Sequence, residues 1–421
     1  MKIYPLWTKL FAMTTTLLVI NLTSPAVVSA QKKIVTFNSF HSDAASRKAM
    51  EKVVELFEKK YPNIRVDMST TAHEDFKTAI RMWLTAATPP DVVTWFAGER
   101  ARFFVKSSLT MDITDMWQGK EYDNIFPKAF RSLCVFDGKA SFIPQSWYWW
   151  GVWYRKLMFA KYGLMPPKTW DEFLKLCEKL KGQGVTPIAI GTKYRWTAAG
   201  WFDYFNLRIN GHDFHMGLMA GKESYTDPRL YKVFETWKEL VEKGYFLENA
   251  AAYSWQEAIP FMVEEKAAMY HMGKFITDAV PKAIQDDFDF FQFPIIDPSV
   301  PMVEEIPLDG FMASIKAPHP DEAKIFLDFQ ASKEAQELFN LELGRIAANI
   351  QIPIEVYPPI VQKGIEMIKE ADSATQFYDR DTTPPMADKG LSAFVEFMMY
   401  PENYKQILAR LDEVRRDIFK K

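Results

Sequence analysis

Apolar residues recur every three or four positions between 44 and 61, at Ala45, Ala49, Val53, Leu56 and Phe57, which is the spacing of one face of a helix. A short β-like run at 34–37 precedes this helix, and Ile64-Arg65-Val66-Asp67-Met68 alternates after Pro62-Asn63 as a second strand. A strand, helix, strand unit of this length predicts a parallel pair, and ligands of open α/β sheets gather beyond the carboxyl ends of such strands. His41, Ser42 and Asp43 stand at one such end, although Ser42 or Asp43 would serve equally as an ordinary N-cap. A helix over 73–87 and Pro89-Pro90 lead to a third strand, 91–94. Trp95, Glu99 and Arg100 follow directly at its carboxyl end.

The middle of the chain crowds Trp147, Tyr148, Trp149, Trp150, Trp153 and Tyr154 into eight residues. On a strand the two faces alternate, so Trp147 and Trp149 point one way and Tyr148 and Trp150 the other. The run reads as a buried central strand, one face of which is free to line a cleft. Beyond it the pattern predicts a helix over 171–181 capped by Thr169 and closed at Gly182, then a strand at 186–191 whose loop carries Trp196. A helix beginning near 198 presents Trp201, Asp203 and Tyr204. Core packing explains Trp201 as well as a site does, whereas Asp203 inside an aromatic run needs a partner. A helix over 230–243 and a strand over 268–272 run into Gly273 and Lys274, the latter reading as a residue that faces water. The stretches 290–295 and 309–315, the second starting at Asp309, look like strands returning to the first sheet. Tyr378 and Asp379 sit in a loop, within an Asp-Arg-Asp cluster that is either a site edge or a salt-bridge knot.

The first thirty residues change the picture. Lys2 and Lys9 precede a short apolar stretch, and Val28-Ser29-Ala30 supplies the small residues of a cleavage site, so residues 1–30 read as a signal peptide cut after Ala30. No cysteine stands there to carry a lipid, so a soluble periplasmic protein is expected. Roughly 390 mature residues exceed one ordinary core and suit two lobes. A net charge of −3 gives no footprint for nucleic acid. With only Cys134 and Cys177, there is no disulfide framework and no thiolate cluster; the two either pair or remain buried thiols. The 6 histidines show no metal-binding spacing, His212 and His215 reading as part of a loop, so neither a metal nor a cofactor is expected. Aromatic residues make up 15% of the chain, with 13 tryptophans. Flat rings pack on the C–H faces of a pyranose while carboxylates, amides and guanidinium groups meet its hydroxyls, although an aromatic-rich core gives the same composition.

Several landmarks in order resemble the family 1 extracellular solute-binding proteins, the sugar receptors of ABC importers. They are Pro90-Asp91-Val92 with the aromatic and acidic-basic residues after it, Asp112-Ile113-Thr114-Asp115, the aromatic crossing with Tyr154-Arg155-Lys156, Pro166 to Phe173, and Pro320-Asp321-Glu322-Ala323. The resemblance covers nearly the whole mature chain. It implies an α/β, two-lobe periplasmic-binding-protein fold with a hinge and an interlobe ligand cleft. The first lobe would hold 31–145 plus 292–340, and the second 146–291 plus 341–421. It also implies a monomer that captures a neutral sugar or glycoside, a di- or trisaccharide or a glucosylated polyol, and delivers it to inner-membrane permease subunits. The substrate-binding residues it suggests are His41, Ser42, Asp43, Trp95, Glu99, Arg100, Tyr148, Trp196, Trp201, Asp203, Gly273, Lys274, Asp309, Tyr378 and Asp379. Lys274 departs from the family's usual tryptophan or small polar residue at that point.

A secreted glycoside hydrolase would also join aromatic platforms to carboxylates, but it needs two carboxyl groups flanking one bond, and no local pattern selects a pair. A receptor of the same fold for a phosphoester is the other alternative. It would need a basic pocket, and the candidate residues hold more acids than bases.

Overall fold

The computed structural model describes residues 1–2 and 32–420, so the signal-peptide expectation lies outside the described residues apart from Met1 and Lys2. Ten strands build two sheets: β1 Lys33–Ser39, β2 Ile64–Thr70, β3 Val92–Phe96, β4 Ile143–Trp147, β5 Trp150–Arg155, β6 Thr186–Ile188, β7 Ala267–Gly273, β8 Phe288–Phe291, β9 Leu308–Ala313 and β10 Ile346–Ala347. The first sheet runs β10-β4-β9-β3-β1-β2 and the second β8-β5-β7-β6. In the first, β1 is parallel to both β2 and β3, and β9 enters antiparallel between β3 and β4.

The sequence forms these elements for ordinary reasons. The helix Ala44–Lys60 buries Ala49, Met50, Val53 and Phe57 at helical spacing and ends with Lys59 and Lys60 at the negative end of its dipole. Its Phe57 meets Phe326 edge-on at 5.0 Å, and Phe326 meets Phe37 of β1 at 5.2 Å, which joins helix to sheet. In the second unit Thr169 closes a reciprocal capping box with Glu172 at the start of helix Trp170–Gly182. Helix Trp196–Met219 carries aromatic residues all round because it is buried on most sides. Trp201 packs on Phe246, His271 and Phe293, and Phe202 stacks on Phe394 at 4.2 Å.

Two hydrophobic cores follow the two sheets. Cys134 is buried in the first and Cys177 in the second, and both are free thiols. The aromatic crossing is two strands rather than one: β4 ends at Trp147, β5 begins at Trp150, and residues 148–149 carry the chain between sheets. Phe288–Phe291 pairs with Val152 to Arg155, so it belongs to the second sheet and is not a return strand to the first. The reason is its packing: Phe290 lies 5.3 Å from both Trp149 and Trp153. The return is made later, at β9. His212 and His215 stand inside helix Trp196–Met219 next to its break at Gly211, not in a loop. His215 is fully buried, and burial holds its imidazole neutral, down to about 3. Among the described residues no helix is long and apolar enough to cross a membrane.

Candidate functional site

Between the sheets lies a cavity in which the space open to the centre of a water molecule is ≈ 80 Å³. The first sheet and its helices contribute Phe40, His41, Asp43, Ser46, His73, Lys77, Phe96 and Asp309 to its wall. Tyr148 comes from the crossing and Trp150 from the start of β5. Trp196, Trp255, Phe275, Asp278, Phe377, Asp379 and Arg380 come from the second unit, and Arg345 from the turn after helix Lys333–Leu343.

The aromatic wall is ordered on both sides. Phe40 stacks on Phe96 at 5.1 Å and on His73 at 5.2 Å. Opposite them Trp150 stacks on Phe377 at 4.9 Å, and Trp196 and Trp255 meet Phe275 at 6.1 and 5.2 Å. Such an array leaves ring faces for a flat apolar surface. Burial holds the imidazoles of His41 and His73 well below their ordinary range, so both are neutral at pH 7.

Polar clasps join the two units around this cavity. The Trp196 indole donates to Glu74 Oε1 at 3.1 Å. Arg100 pairs with Asp379 and donates from Nε to its carbonyl at 3.0 Å. Arg380 donates to Asp309 at 2.8 Å and to the Tyr148 hydroxyl at 2.8 Å, with its guanidinium 4.4 Å from the Phe96 ring. Arg345 donates to Asp278 at 2.6 Å. Gly98, at φ +75°, permits the close approach at the Arg380 clasp: a Cβ there would lie 2.8 Å from the Arg380 carbonyl.

Of the residues the sequence suggested, His41, Asp43, Tyr148, Trp196, Asp309 and Asp379 line the cavity. Asp43 holds the N-cap position of its helix, but its side chain makes no cap hydrogen bond. Its carboxylate has no ion-pair partner among the described residues, and burial raises its pKa. The remaining suggested residues stand elsewhere, each for a physical reason. Trp95 alternates with Phe96, so it faces the core against Phe76 and Phe104 while Phe96 faces the cavity. Glu99 is spent on Arg102 one helical turn away, at 2.9 Å. Arg100 stands behind the wall, paired with Asp379 and with its guanidinium 5.1 Å from the Phe96 ring, and Ser42 sits beside Asp43 without lining the cavity. Trp201 is core. The Asp203 carboxylate accepts the backbone N–H of Tyr378 at 2.8 Å, and the Tyr378 hydroxyl meets that of Tyr225 at 2.7 Å, both away from the cavity. Gly273 makes room for the wall rather than joining it, since a Cβ there would come within 2.5 Å of Phe275 and 3.0 Å of Tyr148. Lys274 does not face water. It is 4% exposed and donates to Leu343 O at 3.0 Å, capping the carboxyl end of helix Lys333–Leu343, and burial lowers its ammonium to about 8.

Arg380, Phe96 and Trp150 were within reach of sequence reasoning. Arg380 is the centre of the Asp-Arg-Asp cluster, Phe96 is one step from Trp95, and Trp150 is two residues from Tyr148, on the same face of an alternating run. Lys77, Phe275, Asp278 and Arg345 carry no local signal. Among the described residues no group of His, Cys, Asp and Glu is arranged to hold a metal ion.

A family model described as bacterial extracellular solute-binding protein matches residues 42–337. The chain belongs to this family. It is similar to an uncharacterized ABC transporter extracellular-binding protein of Pyrococcus horikoshii, 30% identical over 334 residues, covering 78% of this chain and 74% of the relative. A probable sugar-binding periplasmic protein of Mesorhizobium japonicum is 26% identical over 307 residues, 70% of each chain. Among solved structures, the bacterial solute receptor AcbH superposes with a TM-score of 0.88 at 30% identity, covering 92% of this chain and 100% of the other. That receptor is described as having an exclusive preference for β-D-galactopyranose. The two-lobe fold of this family is therefore the fold of this solute-binding protein, and its relatives are binding proteins of the cell exterior rather than enzymes.

Proposed function

We propose that this protein captures a neutral sugar between its two lobes and presents it to the membrane permease of an ABC importer. The observation that carries this reading is the pairing of aromatic faces from both lobes with one carboxylate, Asp43, that has no cation of its own. Ring faces suit the C–H surface of a sugar, and a carboxylate accepts from its hydroxyls. The similarity to sugar-binding relatives supports the same class. Residues 148–149, 292–307 and the stretch after Ala347 would serve as the hinge. Sugar contacts from both sides would favour the closed arrangement, which the permease would recognise in a monomeric receptor. The lobes are proposed to follow the two sheets, the first holding β1–β4 with β9 and β10 through Ala347 and the second holding β5–β8 with the chain after Ala347, which moves the expected crossings at 145/146 to 148–149, at 291/292 to 292–307 and at 340/341 to the stretch after Ala347.

A phosphoester receptor is the weaker reading, because each cation lining the cavity is already matched: Lys77 by Glu74, Arg345 by Asp278 and Arg380 by Asp309. A thermal-shift screen of the mature protein against neutral sugars and sugar phosphates separates the two. A neutral sugar at a hundred times its Kd is expected to add about 2.7 kcal/mol to stability, and its phosphorylated form much less. Stabilisation by the phosphates alone would overturn the neutral-sugar assignment.

A further inference from the structure

Trp196 is held in two ways that packing alone does not require. The residue before it, Arg195, stands at φ +66°, a costly backbone conformation for a residue with a side chain, and its guanidinium is tied to Ser392 Oγ at 2.6 Å and Asp388 Oδ1 at 3.0 Å. That turn starts the helix with the Trp196 ring on the cavity wall. The indole N–H then meets Glu74 Oε1, 3.1 Å away on helix His73–Thr85, whose Phe76, Ile80 and Leu84 pack in the first core. Glu74 does not line the cavity. It also accepts from Lys77 Nζ, at 3.2 Å on each oxygen, and that ammonium lies 5.7 Å from the centres of both the Phe96 and the Trp196 rings. One carboxylate of the first unit thus fixes a ring of the second and a cation shared by rings of both. Glu74 stands in the first turn of its helix, where an acid is favourable in any case. Asp75 supplies that charge too, so the helix end does not require Glu74 to be turned toward the indole.

We infer that Glu74 is a positioning residue for sugar binding, which acts without touching the ligand by holding the Trp196 ring from the opposite unit. This rests on the proposed capture of a sugar between closing lobes. With the lobes apart, water would serve the indole N–H and the Glu74 carboxylate separately. On closure the two pair, and a hydrogen bond to an ionised acceptor is stronger than a neutral one. The bond therefore belongs to the arrangement that holds the sugar, and it orients a ring on which the sugar's C–H face packs. The clasps made by Arg100, Arg345 and Arg380 tie the units through guanidinium groups, whereas here a ring of the wall is itself the donor.

Calorimetric titration of the full mature chain with galactose, glucose, xylose, lactose, maltose and raffinose first finds the tightest of these ligands. A double-mutant cycle with that sugar then tests the inference. Glu74→Ala is expected to weaken binding about tenfold or more, and Glu74→Gln, which keeps an acceptor for the indole, to recover most of that loss. Trp196→Phe keeps a ring but has no N–H. In that background the factor lost on Glu74→Ala should shrink by about fivefold or more, since the disturbance of Lys77 is common to both halves of the cycle and cancels. Equal factors in the two backgrounds, or Glu74→Gln losing as much as Glu74→Ala, mark a merely structural residue and overturn the inference while the sugar reading stands. No binding of any saccharide by the unaltered chain overturns both. The comparison of Glu74→Ala with Glu74→Gln does not depend on the Trp196 variant folding.

Discussion

Arg380→Met is expected to cost about 3–5 kcal/mol, because it removes one partner of a buried ion pair and strands the other. Arg380 is 6% exposed and Asp309 5%. The guanidinium also donates to Leu308 O at 3.2 Å and to the Tyr148 hydroxyl at 2.8 Å, so a single side chain of the second lobe holds a strand of the first and the crossing between them. Since this loss falls on the closed arrangement and each ~1.4 kcal/mol is tenfold, sugar affinity should fall by about a hundredfold or more. Titration calorimetry of the variant gives the number directly. Arg380→Lys should recover only part of it, because an ammonium keeps the charge but cannot span Asp309 and Tyr148 as a planar fork does. Affinity within about threefold of the parent for Arg380→Met would show that the clasp does not set closure.

Asp203→Asn is expected to stabilise the protein at alkaline pH, the opposite of what loss of a buried charged group usually does. Asp203 and Glu305 are both fully buried and meet with no N–H or O–H donor on Asp203 Oδ1 or on either Glu305 oxygen. Burial pushes both carboxyls well above the usual carboxylate range, and the Asp203 charge pushes Glu305 further. The pair therefore shares a proton in the folded state, with Glu304, Asp379 and Asp381 adding negative charge nearby. The folded pKa values lie above the unfolded ones, so the stabilisation is complete below about pH 4 and is lost as pH rises through the raised values. Asparagine keeps an acceptor for the Tyr378 N–H and offers Glu305 a permanent donor. The variant should show a flatter dependence of Tm on pH, with its advantage over the parent growing as pH rises through the raised range. Asp381, pushed up to about 7, should still give its own loss centred there. Parallel pH profiles with unchanged slope would mean that the two carboxyls do not share a proton.

What the sequence made legible was periodicity and order. The strand, helix, strand opening, the capping box at Thr169 and the two-sided aromatic crossing could all be read locally, because each depends on residues within one or two turns of each other. The strand-end argument brought His41 and Asp43 to the cavity for the same reason. Where it failed, two local answers were equally good and tertiary packing chose between them. Trp95 and Phe96 are adjacent rings on opposite faces of a strand buried on both sides, and the larger ring went to the core. Phe288–Phe291 reads as a strand in either sheet, and the tryptophans of β5 and the crossing decided its place. Lys274 has the composition of a surface residue, but the open carboxyl end of a helix far along the chain gives its ammonium carbonyls to bind. Arg345 and Asp278 are 67 residues apart and become one feature only when the lobes meet.

Capture, on the proposed function, is a sugar held between two lobes that close on it. Small-angle scattering from the mature protein, without ligand and with a saturating neutral sugar established by titration, measures this most directly. A decrease in radius of gyration on adding the sugar, to the value calculated from the clasped structure, is the expected result. Sugar binding with no change in scattering would contradict it, since the cavity would then be filled without the lobes moving and the clasps would have no part in capture.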